Sequence, residues 1–318
     1  MNKVVALLVL SIAALAPVAQ AQPFPTKTVR FISGVSPGSA SDTMARLLAE
    51  RLTQTLGQPV IVENRLGAGG LVGAKWVASQ EPDGHTLMMY ASAFTVSPLL
   101  QPGSLDPKEL QPLATVAMIP TVLVTAPEKG YRSIHDFVKA AKAHPGKLSC
   151  STAGIGSATH MNLERFRISA GIEVLNVHMK GAPEAVTEVI TGRIDCYFAL
   201  IFQAVRNVES GKLVALGVGA PRRSSAMPDV PTTVELGFPE SDYNFWVGAL
   251  VPAKTPRPIV ERLHREINAA VQSPELAERI RKLGADPLTM SIAEFEKMVA
   301  AELEANARLI KAAGIKAN

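Results

Sequence analysis

The sequence predicts an α/β protein of two similar lobes that are joined by two crossing strands and separated by a central cleft. Three observations indicate this fold class. Short β-branched runs alternate with longer helical patterns, which is typical of α/β units around mainly parallel sheets. The order strand, glycine-rich loop, helix occurs early in each of two segments. A late apolar run at 245–251 is predicted to return to the first lobe as a strand.

The N-terminus has the layout of a secretory signal peptide. Lys3 supplies a positive charge, residues 4–16 form an apolar stretch, and residues 19–21 form an A-x-A cleavage site. The alternative, a transmembrane anchor, needs about 20 apolar residues, which is more than this stretch provides. We therefore predict that residues 1–21 are a signal peptide removed on export. Gln22 follows the cleavage site, and the absence of a cysteine there argues against a lipid anchor.

Residues 22–122 are predicted to form lobe 1. Strands are expected at 29–32, 59–62 and 86–90, and a second helix at 71–79. The helix after the first strand is expected to begin at Asp42, because apolar residues follow at spacings of three and four. Ser41 or Asp42 is the predicted cap of its N-terminus.

Residues 123–246 are predicted to form lobe 2, and residues 247–318 to return to lobe 1 with C-terminal helices. Ser133 is the expected cap of a helix that ends near Lys142, and another helix is expected from about Ala158. The remaining expected strands are 122–124, 148–151, 174–177, 196–198 and 213–218, and the expected C-terminal helices are 259–271, 274–283 and 292–312.

Two glycine-rich loops, at 34–41 and 152–157, are the candidate binding elements. Each joins a strand end to a helix start, where backbone N–H groups are unpaired and the helix dipole favours negative charge. Ligands of open α/β sheets bind beyond the carboxyl ends of the strands. Two such loops across a cleft would each hold one end of a dicarboxylate. The alternative is that each loop is only a tight turn. The loops also carry hydroxyls at Ser36, Ser39, Ser41, Ser151, Thr152, Ser157 and Thr159.

Neither loop matches a nucleotide-binding or nucleophile motif. The sequence of the loops lacks G-x-G-x-x-G, the GK[ST] of a P-loop and G-x-S-x-G. Ser157 and His160 are near one another, as a nucleophile and base would be, but no acid with a clear role accompanies them. The six histidines show no metal-ligand spacing, and only His160 and His178 lie next to cleft loops. No cofactor or metal site is expected.

The charge balance favours small anions over nucleic acid. The formal net charge is +4, and the basic residues are scattered among acidic ones without forming a run. Cys150 and Cys196 lie in short apolar, strand-like segments. Export permits a disulfide between them, but buried free thiols are the favoured interpretation.

Several motifs, in order along the chain, resemble one family of exported receptors. They include 37–42 (PGSASD), 57–65 (GQPVIVENR), 67–70 (GAGG), 83–87 (DGHTL), 151–157 (STAGIGS) and 228–232 (PDVPT). The chain resembles the periplasmic receptors of tripartite tricarboxylate transporters, the Bug or TctC-like family, over essentially the whole mature chain.

This resemblance implies a type II periplasmic-binding-protein fold, with two lobes joined by a two-strand hinge around a central cleft. It implies a monomeric, non-enzymatic receptor in the periplasm that closes on a small organic carboxylate and delivers it to membrane permease subunits. The ligand-binding residues carried over by position, with the neighbours that the loops themselves suggest, are Ser36, Pro37, Gly38, Ser39, Ala40, Ser41, Ala91, Ser92, Ser151, Thr152, Ala153, Gly154, Gly156, Ser157, Thr159, His160 and Ala199.

Three positions depart from the family pattern. Ser39 stands where many relatives have a second glycine, and His178 and Met179 stand where many have Pro-Tyr. Ala199 stands where many have an aspartate that pairs with the ammonium of an amino-acid ligand. An ammonium buried without that partner is costly, so an acid without an α-ammonium is predicted. Two alternatives remain: a receptor that signals to a sensor kinase, and a periplasmic hydrolase that uses Ser157 or His160.

Overall fold

The computed structural model describes residues 24–243 and 245–316. The predicted signal peptide, residues 1–21, lies outside this part of the chain. Within it, eleven strands form two sheets. The strands are β1 (Val29–Ser33), β2 (Val60–Asn64), β3 (Thr86–Ala91), β4 (Leu110–Met118), β5 (Thr121–Thr125), β6 (Ser149–Thr152), β7 (Leu175–His178), β8 (Cys196–Leu200), β9 (Val214–Val218), β10 (Trp246–Pro252) and β11 (Asp286–Pro287).

The helices follow the strands in the alternation that the sequence predicts. They are α1 (Ala40–Leu56), α2 (Leu71–Ala78), α3 (Ser97–Leu100), α4 (Ile134–Ala143), α5 (Ala158–Ala170), α6 (Ala182–Ile190), α7 (Ile201–Glu209), α8 (Arg257–Gln272), α9 (Pro274–Lys282) and α10 (Ile292–Ala313). No helix of the described ranges is long and apolar enough to cross a membrane.

The first sheet has the strand order β11-β4-β10-β3-β1-β2. Strand β1 pairs in parallel with β2 and β3, whereas β10 runs antiparallel between β3 and β4. Alternate residues of β1 enter two cores, because side chains of a strand point to opposite faces. Phe31 packs with Leu48 of α1 and Leu263 of α8, and Ile32 packs on the other face with Phe295 of α10.

The second sheet has the order β7-β6-β8-β5-β9 and repeats this layered plan. Phe198 of β8 belongs to the core beneath α4 and α5, together with Phe137 and Phe166. Tyr197, on the opposite face, packs with residues of α6 and α7, including Val189. Each sheet is therefore buried between two layers of helices, which gives a two-lobed α/β architecture.

Two crossings join the sheets and lie side by side. The chain leaves the first sheet after β4 and enters β5 within three residues, and it returns from β9 to β10. The N–H of Ile119 donates to the carbonyl of Phe245 at 2.8 Å, and the N–H of Gly219 donates to the carbonyl of Thr121 at 2.9 Å. The predicted strand that returns to the first sheet is confirmed as β10.

The cap of α1 differs from the prediction. The helix begins at Ala40, and its N-cap is Ser39, whose side chain accepts from the N–H of Asp42. Ser41 and Asp42 lie inside the helix instead. The Asp42 carboxylate already accepts from Gly38 and Arg46, so it holds the preceding loop in place. Ser133 is confirmed as the cap of α4. The predicted start of α5 at Ala158 is also confirmed.

The favoured interpretation of the two cysteines was wrong. Cys150 and Cys196 are disulfide-bonded, and they are direct partners on the adjacent parallel strands β6 and β8. Their side chains enter the same core, with Phe198 as a neighbour. The pairing follows from the strand order, which places β8 next to β6 although β7 intervenes in the sequence.

Candidate functional site

A cavity of about 360 Å³ lies between the two lobes. At the edge of the cavity, Gly156 of the second lobe lies close to Leu100 of the first lobe. A Cβ added at Gly156 would lie 2.6 Å from Leu100 Cδ1. On the first lobe the cavity is lined by Ala68, Gly69, Ser97, Leu100 and Gln101, and on the second by Gly154, Ile155, Gly156, His178, Met179 and Lys180. This lining contains Lys180 and the ring of His178 and, among the described residues, no acidic residue, so it suits an anion.

A second groove, of about 470 Å³, lies between α5 and α10. It is lined by Arg165 and Arg308 together with Glu240 and Asp242, so both signs of charge are present. It includes neither glycine-rich loop. The cavity between the lobes, which the loop at 152–157 lines, is therefore the better candidate for an anionic ligand.

The loop at 152–157 contributes directly to the cavity, through Gly154 and Gly156. Its own side chains fix its shape. Thr159 Oγ1 accepts from the N–H of Ala153 at 2.9 Å, and Thr152 Oγ1 accepts from the N–H of Gly154 at 3.3 Å. These two amides are thus already used within the loop, and the hydroxyls of Thr152 and Thr159 position the loop.

Ser157 and Ser151 are also turned toward the protein. Ser157 is the N-cap of α5, with its Oγ accepting from the N–H of His160 at 3.3 Å. Ser151 is buried in β6, and its Oγ donates to the carbonyl of Ala185 at 3.0 Å. Both hydroxyls support the second loop from outside the lining of the cavity.

The loop at 34–41 lies beside the cavity without lining it. Ser36, Pro37 and Gly38 are exposed, Ser39 and Ala40 are half-buried, and Ser41 is buried. The loop packs on the 67–70 turn: a Cβ at Gly34 would lie 2.6 Å from Gly70 Cα. This turn, through Ala68 and Gly69, provides the lining that the sequence assigned to the loop.

A buried carboxylate occupies the N-terminus of α1. Asp42 accepts from the N–H of Gly38 at 2.9 Å, from Arg46 at 3.0 Å and from Asn64 at 2.7 Å. Burial alone would raise the pKa of Asp42, but these donors outweigh it and lower the pKa. Because this end of the helix dipole already holds a negative charge, it is less attractive to a second anion than the sequence suggests.

The other predicted ligand contacts lie in the interior. Ala91 ends β3, and Ser92 after it is fully buried; neither lines the cavity. Ala199 is fully buried inside β8, opposite Val122, in an apolar cluster. Strand β8 ends at Leu200, two residues later than expected, which places Ala199 within the sheet.

His160 is a buried imidazole that stabilises the second loop. Its Nδ1 accepts from the N–H of Gly156 at 3.1 Å, so the neutral ring carries its proton on Nε2. Nε2 lies 3.9 Å from Glu164 Oε1. Burial and the neighbouring His178 lower the pKa of His160 to about 4, although Glu164 opposes the shift. His160 is therefore neutral at neutral pH.

His178 is more exposed than His160, only partly buried, and lines the cavity. It ends β7, its Nδ1 lies 2.8 Å from Thr152 Oγ1, and its ring centroid lies 4.7 Å from that of His160, edge to face. Burial lowers the pKa of His178, with Glu164 opposing. Because Nδ1 is engaged by Thr152, Nε2 is the ring nitrogen available to a ligand.

The geometry of Ser157 and His160 differs from that of a nucleophile and its base. Ser157 Oγ contacts the backbone N–H of His160, while the ring Nδ1 of His160 is engaged by Gly156. A general base needs its ring nitrogen within hydrogen-bond reach of the hydroxyl. In the part of the chain that is described, no group of three His, Cys, Asp or Glu side chains is arranged to hold a metal ion.

Residues 44–315 match the family described as the tripartite tricarboxylate transporter family receptor. The chain belongs to this family. The resemblance read from the motifs is thereby confirmed. Members of the family are periplasmic solute-binding receptors, and this chain is one such receptor.

Relatives of this receptor share most of its length. BugT of Bordetella pertussis is 32% identical over 303 residues, which cover 93% of this chain and 92% of that protein. An R. palustris protein solved with adipate has a TM-score of 0.80 and 26% identity, covering 92% of this chain and 99% of the other. MatC from Rhodopseudomonas palustris, with bound malate, has a TM-score of 0.76 and 28% identity, covering 90% and 100%. These likenesses confirm the two-lobed type II fold.

Sequence reasoning missed part of the lining of this receptor's cavity. His178 was noted as adjacent to a cleft loop, but Lys180 and the whole contribution of the first lobe were not assigned. The available signal was the run 67–70, where Gly67, Gly69 and Gly70 adopt positive φ directly before α2. The other unassigned lining residues are Ser97, Leu100, Gln101, Ile155 and Met179.

Proposed function

We propose that this receptor binds a small organic carboxylate without an α-ammonium in the cavity between its lobes and delivers it to a membrane permease. The observation that carries the proposal is the lining, which includes the cation Lys180 and the ring of His178 and, among the described residues, no acidic residue. A carboxylate gains from these groups, whereas an ammonium would lack a carboxylate partner and pay for its desolvation.

The two solved relatives support a carboxylate ligand. One contains adipate and the other contains malate, and both have the fold of this chain along nearly its whole length. Neither ligand carries an ammonium group. The lining of the cavity here is compatible with the same class of compound.

Binding is proposed to act by closure of the lobes. The first lobe is built on the sheet of β1–β4, β10 and β11, the second lobe on the sheet of β5–β9, and the paired crossings near Ile119 and Phe245 serve as the hinge. A ligand that contacts both lobes only when they are closed shifts the population toward the closed form. The closed receptor then docks on the permease, and no covalent step is involved. In this proposal the receptor is a monomer that is exported through the signal peptide, which is cleaved after residue 21.

The sequence-derived binding residues divide into two roles in this proposal. Gly154 and Gly156 contact the ligand from the second loop, where their lack of a side chain lets the ligand approach the backbone. The hydroxyls of Ser151, Thr152, Ser157 and Thr159, with the ring of His160, hold that loop in shape.

Replacing Lys180 by glutamine tests the charge argument. Lys180 is exposed, so its attraction to an anion is screened, and Lys180→Gln is expected to weaken carboxylate binding about two- to fivefold. Lys147→Gln is the matched control. Lys147 is also exposed, but it precedes the first residue of β6, whereas the loop that lines the cavity follows the last residue of β6. The measurement is the Kd from calorimetric titration of residues 22–318. Equal Kd values for both variants would contradict an anionic ligand in this cavity.

A further inference from the structure

The ring of His178 in the second lobe is positioned to contact a ligand in the cavity. It lines the cavity, and its ring is fixed from two sides, by Thr152 Oγ1 at 2.8 Å and by the edge-on ring of His160 at 4.7 Å. A ring held in one orientation loses little freedom when a ligand binds, so its hydrogen bond contributes more to affinity and geometry.

We propose that His178 Nε2 recognises a second anionic group of the ligand, in a bond that forms with uptake of a proton, so that the receptor selects dicarboxylates over monocarboxylates. This inference rests on the proposed function, since it assigns one end of the carboxylate ligand to a side chain. The other end lies toward Ala68, Gly69 and Ser97 on the first lobe, across a cavity that both lobes line.

The charged groups around His178 allow this change of protonation. On α5, Glu164 is buried and paired with Arg167 at 2.8 Å, and it also accepts from Asn176 of β7. The carboxylate of Glu184, at the start of α6, accepts from the backbone N–H of Lys180. No carboxylate of these elements forms an ion pair with the His178 ring among the described contacts.

The sign of the proton exchange follows from the ring's surroundings. In the free receptor, partial burial lowers the pKa of His178, which favours the neutral ring. An anion within about 4 Å favours the charged form and raises the pKa. Binding of a dicarboxylate therefore takes up a proton, and its affinity falls as the pH rises through the pKa in the complex, by at most tenfold per pH unit.

Titration calorimetry in two buffers of different ionisation enthalpy measures this uptake directly. The probes are adipate and hexanoate, which differ only in the second carboxylate, between pH 6.5 and 8.5. The wild-type receptor is expected to take up a fraction of a proton with adipate and none with hexanoate. His178→Gln is expected to abolish the uptake and to bring the affinity for adipate to within about threefold of that for hexanoate.

His144→Gln is the control, because His144 is exposed and precedes the first residue of β6, whereas the loop that lines the cavity follows the last residue of β6. It should retain the full proton uptake, and equal melting temperatures would show that both variants are folded. Adipate binding without proton uptake, or uptake that persists in His178→Gln, overturns the inference. If hexanoate binds as tightly as adipate, the inference fails while the proposed function stands. If neither acid binds, the proposed function itself is contradicted.

Discussion

Gly156 offers a direct test of the approach of the two lobes. Its φ is +73°, and a Cβ added there would lie 2.6 Å from Leu100 Cδ1 of the other lobe. Gly130 is a matched control, with φ of +78° and no atom within 4 Å of an added Cβ. Alanine at either position costs about 1–2 kcal/mol of folding free energy, because a side chain is disfavoured in the left-handed region.

The two variants should differ in ligand affinity. The backbone strain is present with and without ligand and cancels in Kd, whereas the added methyl group meets Leu100 where the lobes approach each other and also stands on the backbone that contacts the ligand. Carbon atoms pack at about 3.5–4.0 Å, so the Leu100 side chain must move by about 1 Å. Forcing it away from its preferred rotamer costs about 0.5–1.5 kcal/mol, which weakens binding about two- to tenfold.

Thermal melts and calorimetric titration with a dicarboxylate separate these effects. Gly156→Ala and Gly130→Ala are expected to lose similar stability, and Gly156→Ala alone should bind more weakly than the wild-type protein. If the two variants bind equally well, the lobes do not meet at Gly156 and Leu100 in the bound state. The reasoning from closure at this contact would then be refuted.

Two further predictions concern stability. Burial raises the pKa of Glu302 to about 7 even though Trp246 donates to its carboxylate. The stability from this group is full below pH 4.5 and is lost as the pH rises through 7, an effect of about 3 kcal/mol. In urea unfolding from pH 5 to 8, Glu302→Gln should therefore gain stability relative to wild type as the pH rises; parallel curves would refute this. Replacing Cys150 and Cys196 by alanine should cost about 4 kcal/mol of unfolding free energy by chain entropy, because the disulfide closes a loop of 46 residues. Unchanged urea midpoints, with two free thiols in the wild-type protein, would contradict the disulfide.

Local signals in the sequence were sufficient for most elements of the fold. Ser133 was predicted as the cap of α4 and is its N-cap, and the glycine-rich loop at 152–157 placed the start of α5 at Ala158, because such signals act within a few residues of the helix start. Strand β4 was missed because Pro112 interrupts its pattern. In the structure Pro112 lies opposite Leu250, where the register shifts, and a missing N–H is tolerated at such an irregularity.

Features that depend on distant residues were not predictable in the same way. By local rules Asp42 was as good a cap for α1 as Ser41. In the structure Ser39 is the cap, and Arg46 and Asn64 bind the Asp42 carboxylate. The disulfide depends on β6 and β8 being neighbours in the sheet, which the sequence order does not reveal. The cavity lining likewise comes from the turn at 67–70 and from α3, which approach the second loop only in the folded chain.

The central claim is that the cavity accepts a carboxylate and rejects an α-ammonium. Calorimetric titration of residues 22–318 with acids and their amino counterparts of the same skeleton measures this most directly; the pairs are succinate with aspartate and adipate with 2-aminoadipate. Because no acidic side chain of residues 24–243 and 245–316 lines the cavity, at least one plain acid should bind about tenfold or more tightly than its amino counterpart. Equal or tighter binding of the amino acids, or no binding of any acid, would contradict the account.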